Sequence, residues 1–76
     1  MKQSEVIRHI ILEQGIKQLT LANRLGMQQN NLSNHLTRGA IPVSTYVRML
    51  NALNYRLVAI PDTVKVPKEA YEVTLE

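Results

Sequence analysis

Apolar residues recur along the first two thirds of the chain at the three- and four-residue spacing of helices that bury one face. Ile7, Ile10 and Ile11 share one such face. Ser4 stands where a cap for that helix is expected, Glu5 suits the positive end of its dipole, and Gly15 is placed to end it. A second helix is predicted from Gln18 to Leu25, with Leu21, Ala22 and Leu25 inward and Gly26 as its stop. A third is predicted from Gln29 to Thr37, seated on Leu32 and Leu36 and closed by Gly39. After Pro42, Ser44 is expected to cap a fourth helix that buries Val47, Leu50 and Leu53, with Met27 and Met49 as further core residues. The links between these segments are short, as in a compact helical bundle.

The pattern changes after Tyr55. Leu57-Val58-Ala59-Ile60 is a continuous apolar run, too short for a helix and stopped by Pro61-Asp62, and it predicts a strand. Tyr71, Val73 and Leu75 alternate with Glu72 and Thr74, a period of two that predicts a second strand. The expected fold class is all-α with a short C-terminal β segment. Residues 1–56 form the helical domain and residues 57–76 a tail.

A chain of 76 residues holds one domain with a modest core, and such chains usually lean on a staple or a partner. There is no cysteine, which excludes disulfides and thiolate metal sites. His9 and His35 have no ligand cluster around them in sequence, so neither a metal nor a cofactor is expected. Oligomerisation is the remaining support. No apolar stretch approaches the roughly 20 residues that span a bilayer, and no membrane role is expected. Met1-Lys2-Gln3 leads into a helical pattern rather than a signal peptide, so the expected location is cytoplasmic. No Ser-His-Asp arrangement, carboxylate pair or glycine-rich phosphate loop is visible, and no catalytic residue is assigned.

Charge is unevenly distributed. Up to Arg56 the chain carries seven basic residues against two acidic ones, whereas from Leu57 onward two lysines face four acidic residues. A basic helical part favours an anionic partner. The absence of Phe and Trp gives little support for stacking on single-stranded RNA.

The most informative stretch is Lys17 to Gly39. Two short helices joined at Leu21-Ala22-Asn23-Arg24-Leu25-Gly26-Met27 have the form of a helix-turn-helix, with Ala22 small where a neighbour must approach and Gly26 at the turn. The third helix presents Gln28, Gln29, Asn30, Asn31, Ser33, Asn34 and His35 away from its leucines. Asparagine is a poor helix former, so helix propensity does not account for the cluster. Amides offer a donor and an acceptor that match the N6 and N7 edge of adenine in the major groove. Gln28, Gln29, Asn30, Asn31, Asn34 and His35 are therefore the candidate base-reading residues. Lys17, Arg24 and Arg38, with Ser33, are candidate phosphate contacts.

Around these residues the chain resembles the Cro/C1-type (XRE-like) helix-turn-helix family, the lambda repressor-like DNA-binding domains. The resemblance rests on Gln18, Leu21-Ala22-Asn23-Arg24-Leu25-Gly26, Gln28-Gln29-Asn30-Asn31-Leu32-Ser33-Asn34 and Leu50-Asn51-Ala52-Leu53, and covers about residues 4 to 56. It implies a repressor-like bundle of four or five helices. It also implies a sequence-specific transcriptional regulator, bacterial or phage in type, that binds double-stranded DNA as a symmetric dimer on a palindromic operator. On the same resemblance Gln18 holds a phosphate, and Gln29, Asn30 and Asn34 read bases. Lys17 and Gln28 depart from the family's usual Ser or Thr caps, and Leu32 to Leu36 is a spacing of four where many members show three.

Leu57, Val58, Ala59 and Ile60 are expected to form a homodimer interface. All four are apolar, a strand sends alternate side chains to opposite faces, and the bundle can cover only one of them. The alternative function is an antitoxin-like autoregulator whose tail binds a protein partner.

Overall fold

The computed structural model describes residues 1–38 and 40–74. The described residues form four helices: α1 (Gln3–Gln14), α2 (Gln18–Leu25), α3 (Gln29–Thr37) and α4 (Val43–Ala52). Their apolar faces meet in one core. Val6, Ile7 and Ile10 come from α1, Leu21 and Ala22 from α2, and Leu32 and Leu36 from α3. Tyr46, Met49 and Leu50 from α4 complete it, with Ile41 and Leu53 from the flanking loops. Among the described residues no helix is long and apolar enough to cross a membrane.

Two expected helix starts are displaced. Lys2, not Ser4, precedes α1, and its backbone N–H donates to Glu5 Oε1 at 2.9 Å. The reaching-back carboxylate satisfies this end of the chain, so Ser4 lies inside the first turn. Pro42, not Ser44, precedes α4 and places Val43 as its first residue. A proline at this boundary has no N–H to satisfy and leads into a helix without loss. Val47 is half-buried rather than central, because Tyr46, Met49 and Leu50 hold the inward face of α4.

Three helix ends close in the same way. After α1, α2 and α4, Gly15, Gly26 and Asn54 take the left-handed conformation, with φ of 66°, 64° and 65°. In each case the next residue reaches back five positions: Ile16 N–H donates to the Ile11 carbonyl at 3.2 Å, Met27 to Ala22 at 2.9 Å and Tyr55 to Leu50 at 2.8 Å. This is the paired carbonyl closure of a Schellman motif. Nothing lies within 4 Å of where a Cβ on Gly26 would stand, so backbone conformation rather than crowding calls for glycine there. The expected closure of α3 by Gly39 lies outside the described residues.

Long polar side chains tie the remaining ends across the bundle. Arg8 donates to the Leu36 carbonyl, Arg48 to Leu25, Arg24 to Ala52 and Gln14 to Leu53. A cation at a helix C-terminus meets both an orphan carbonyl and the negative end of the dipole. Gln3 does similar work at the opposite end of α1. Its amide donates to the Ile41 carbonyl at 3.0 Å and accepts from the Ile41 N–H at 2.8 Å, pinning the loop before α4.

The tail corrects the expected β segment. Among the described residues there is no strand: neither Leu57–Ile60 nor residues 71–74 join a ladder. The chain turns at Pro61–Val64 and at Pro67–Ala70 and returns to the bundle. There Tyr71 sits between His9 and Tyr55, at ring separations of 6.2 and 6.1 Å. Thr74 N–H then donates to the Met1 carbonyl at 2.8 Å, and the Met1 nitrogen donates to the Glu72 carbonyl at 3.1 Å. The alternation read from the sequence does describe burial: Tyr71 and Val73 are half-buried against the core, Glu72 and Thr74 exposed. Its hydrogen bonds go to the start of the chain instead of to residues 57–60, so no sheet forms. Leu75 lies outside the described residues.

Candidate nucleic-acid interface

The candidate site is built on α2, the turn at Gly26-Met27 and α3. Leu32 and Leu36 are 0 % and 3 % exposed, which fixes the rotation of α3 about its axis. Residues four apart lie on one helix face, so anchoring that pair turns the amides outward. Gln28, Gln29, Asn30, Asn31 and Asn34 are all exposed. Gln28 precedes α3 in an extended conformation and makes no side-chain cap, which leaves its amide outside the helix's own bonding.

Asn31, Asn34, His35 and Arg38 follow one another at helical spacing, and with Met27 they line a cleft of about 360 Å³. The four polar residues thus form one continuous stripe, running from the turn to the end of α3. His35 is half-buried in that cleft and Arg38 is exposed at its far end. Met27, expected only in the core, contributes to both core and cleft.

Gln18, in the first turn of α2, is joined to this surface through Ser33. The Ser33 hydroxyl donates to Gln18 Oε1 at 3.3 Å. An amide whose oxygen is engaged keeps its two N–H donors for another acceptor. Lys17, the residue before α2, is exposed and makes no cap bond from its side chain. Lys17, Gln18, Ser33 and the α3 stripe are therefore linked through adjoining elements.

Arg24 stands apart from them. Its Nη1 donates to the Ala52 carbonyl at 3.1 Å, at the C-terminus of α4, and not toward the α3 stripe. Tyr46 packs into the core. It is 2 % exposed and its hydroxyl donates to the Gln3 carbonyl at 3.1 Å. Burial pushes its phenol up to about 12. Leu57, Val58, Ala59 and Ile60 are exposed and distant in sequence from the α3 stripe.

No family model matches the chain, and no match is found among curated proteins or solved structures.

Among the described residues no charged side chain of this surface is buried. The surface offers amide donors and acceptors in a row, one imidazole and one guanidinium, on a rigid helix backed by leucines. Such a row can pair with an edge that carries a matching donor–acceptor pattern.

Proposed function

We propose that this protein is a sequence-specific DNA-binding transcriptional regulator, a repressor that occupies its operator through α3. One observation carries the reading: α3 buries its two leucines and presents four exposed amides, with a fifth, Gln28, just before it, and it follows α2 across a turn closed at Gly26-Met27. Amides in that number are costly in a helix and useless to the core, and a base edge in the major groove gives them partners. Gln29, Asn30 and Asn34 read bases, with Gln28, Asn31 and His35 beside them. Lys17, Gln18 and Arg38 hold phosphates and set the register of the helix.

Phosphate contacts make affinity fall with salt, so the test is run at a stated ionic strength. Selection of bound duplexes from a random pool should enrich one motif. An unenriched pool, at a salt concentration where the protein still retains DNA, would overturn sequence-specific recognition. Failure to retain any duplex at low salt would overturn DNA binding itself.

A further inference from the structure

Met27 is the one apolar side chain among the described residues that line the cleft on α3; Asn31, Asn34, His35 and Arg38 are polar. It is held from two sides. Its backbone N–H donates to the Ala22 carbonyl at 2.9 Å, which closes the turn. Its side chain is half-buried and packs against the core. The part left uncovered opens into the cleft at the start of the stripe, with the exposed Asn31 and Asn34 beyond it. The apolar residues of α3 itself, Leu32 and Leu36, are buried and offer an incoming ligand nothing. Met27 thus supplies the cleft's apolar surface.

We infer that Met27 reads the 5-methyl group of a pyrimidine, thymine or 5-methylcytosine, within the sequence that α3 recognises. The inference rests on the proposed recognition of DNA through α3. Each base pair shows nitrogen and oxygen donors or acceptors in the major groove, and the one apolar group among them is the pyrimidine 5-methyl. A thioether has no donor and is a weak acceptor. Set against a polar part of the edge, it would displace water and return no hydrogen bond, at a cost to binding. Set against a methyl it leaves no polar atom unmet, and the apolar contact is a gain. Methionine is unbranched and polarisable, so it can settle on a small group of irregular surroundings. The Asn31 and Asn34 amides carry both donors and acceptors for the polar atoms of the same edge, the O4 of thymine or the N4 of 5-methylcytosine. The cleft therefore matches an edge that is apolar at one point and polar along the rest.

The test uses the duplex that selection enriches, with the unaltered protein. Each thymine of its motif is replaced in turn by deoxyuridine, which removes the methyl and leaves every hydrogen-bonding group in place. Each cytosine is replaced in turn by 5-methylcytosine, which adds the methyl. At least one position should respond, by about a fourfold loss for uracil or about a fourfold gain for 5-methylcytosine, the worth of one buried methyl. The first result assigns thymine and the second 5-methylcytosine. That response should vanish with Met27→Ala and persist with Met27→Leu, which keeps an apolar contact. Circular dichroism reports whether each variant is folded, and the base replacements decide the matter on the parent protein alone if one is not. A motif in which no methyl alters affinity would overturn the inference and leave recognition by α3 standing. So would a methyl effect that a folded Met27→Ala variant retains in full. A pool with no enriched motif would overturn the proposed function, and this inference with it.

Discussion

The Ser33 hydroxyl donates to Gln18 Oε1 across 3.3 Å, so a residue in the middle of α3 orients the first turn of α2. The bond spans the helix-turn-helix and holds the Gln18 amide with its N–H groups free for an outside acceptor. If that acceptor is a phosphate, Gln18→Ala should weaken binding to every sequence alike, by about 1 kcal/mol, with base preference unchanged. Ser33→Ala should give a smaller, equally uniform loss, because Gln18 remains but is no longer oriented. Competition assays with operator and scrambled duplexes measure both. A change in the preferred sequence in either variant would contradict this role.

The amides of α3 should behave in the opposite way. Gln29→Ala and Asn34→Ala are each expected to cost about 1–3 kcal/mol on the selected sequence and to relax preference at one base pair. Both residues are exposed, so thermal unfolding should stay within about 0.5 kcal/mol of the parent. Repeating the selection with each variant identifies the base pair. An unchanged motif would remove that residue from the reading set.

Arg38 ends the stripe Asn31-Asn34-His35 and is exposed. As a phosphate contact, its replacement by alanine should flatten the slope of log affinity against log salt by about one unit. The same titration on Arg24→Ala should leave that slope alone, since Arg24 is turned toward the Ala52 carbonyl. Arg24→Ala should instead lower stability, by about 0.5–1.5 kcal/mol.

These assignments also mark how far the sequence carries. The spans of α2 and α3 are legible to the residue, because the leucine spacing and the glycine at the turn are both local signals. The outward set on α3 follows from Leu32 and Leu36 alone. The stripe through His35 and Arg38 is not legible in the same way, since it takes Met27 from before the helix to wall the cleft. The arginine-to-carbonyl ties are also hidden, because Arg8 and Leu36 are 28 positions apart and Arg48 and Leu25 are 23. In the tail, alternation correctly tells which side chains are covered but not what the backbone pairs with. Residues 71–74 find Met1 and the His9–Tyr55 surface, a choice made by tertiary packing.

Asn54 is the one non-glycine residue with positive φ among those described, and it closes α4 as Gly15 and Gly26 close α1 and α2. Left-handed backbone costs an ordinary L-residue about 1–2 kcal/mol, and asparagine somewhat less. Asn54→Gly should therefore stabilise the fold by about 0.5 kcal/mol, after the added freedom of the unfolded chain is subtracted. Asn54→Val should destabilise it by about 1–2 kcal/mol, since a β-branched side chain tolerates this region worst. Urea unfolding with a common slope measures both. A glycine variant less stable than the parent would mean that the asparagine side chain contributes more than its backbone costs.

Tyr46 gives the fold a predictable response to alkali. Its ring is 2 % exposed, its hydroxyl donates to the Gln3 carbonyl, and burial pushes its phenol up to about 12 from an ordinary value of 10.0. The folded state thus holds the neutral phenol more tightly than the unfolded state does. A group whose value rises on folding contributes its stability in full below the unfolded value and loses it as pH climbs toward the folded one. Stability should accordingly be insensitive to this group at neutral pH and should fall between about pH 10 and 12 as the unfolded chain loses its proton first. Tyr46→Phe removes the ionisation together with the bond to Gln3. Its stability at neutral pH should be lower by about 0.5–1.5 kcal/mol, and the part of the alkaline decline that Tyr46 causes should be absent. Phenolate absorbance identifies the step directly: subtracting the titration of Tyr46→Phe from that of the parent should leave one transition near pH 12. A difference transition near pH 10 would mean that the phenol is not held in the core, and the α1–α4 contact through Gln3 would have to be abandoned with it.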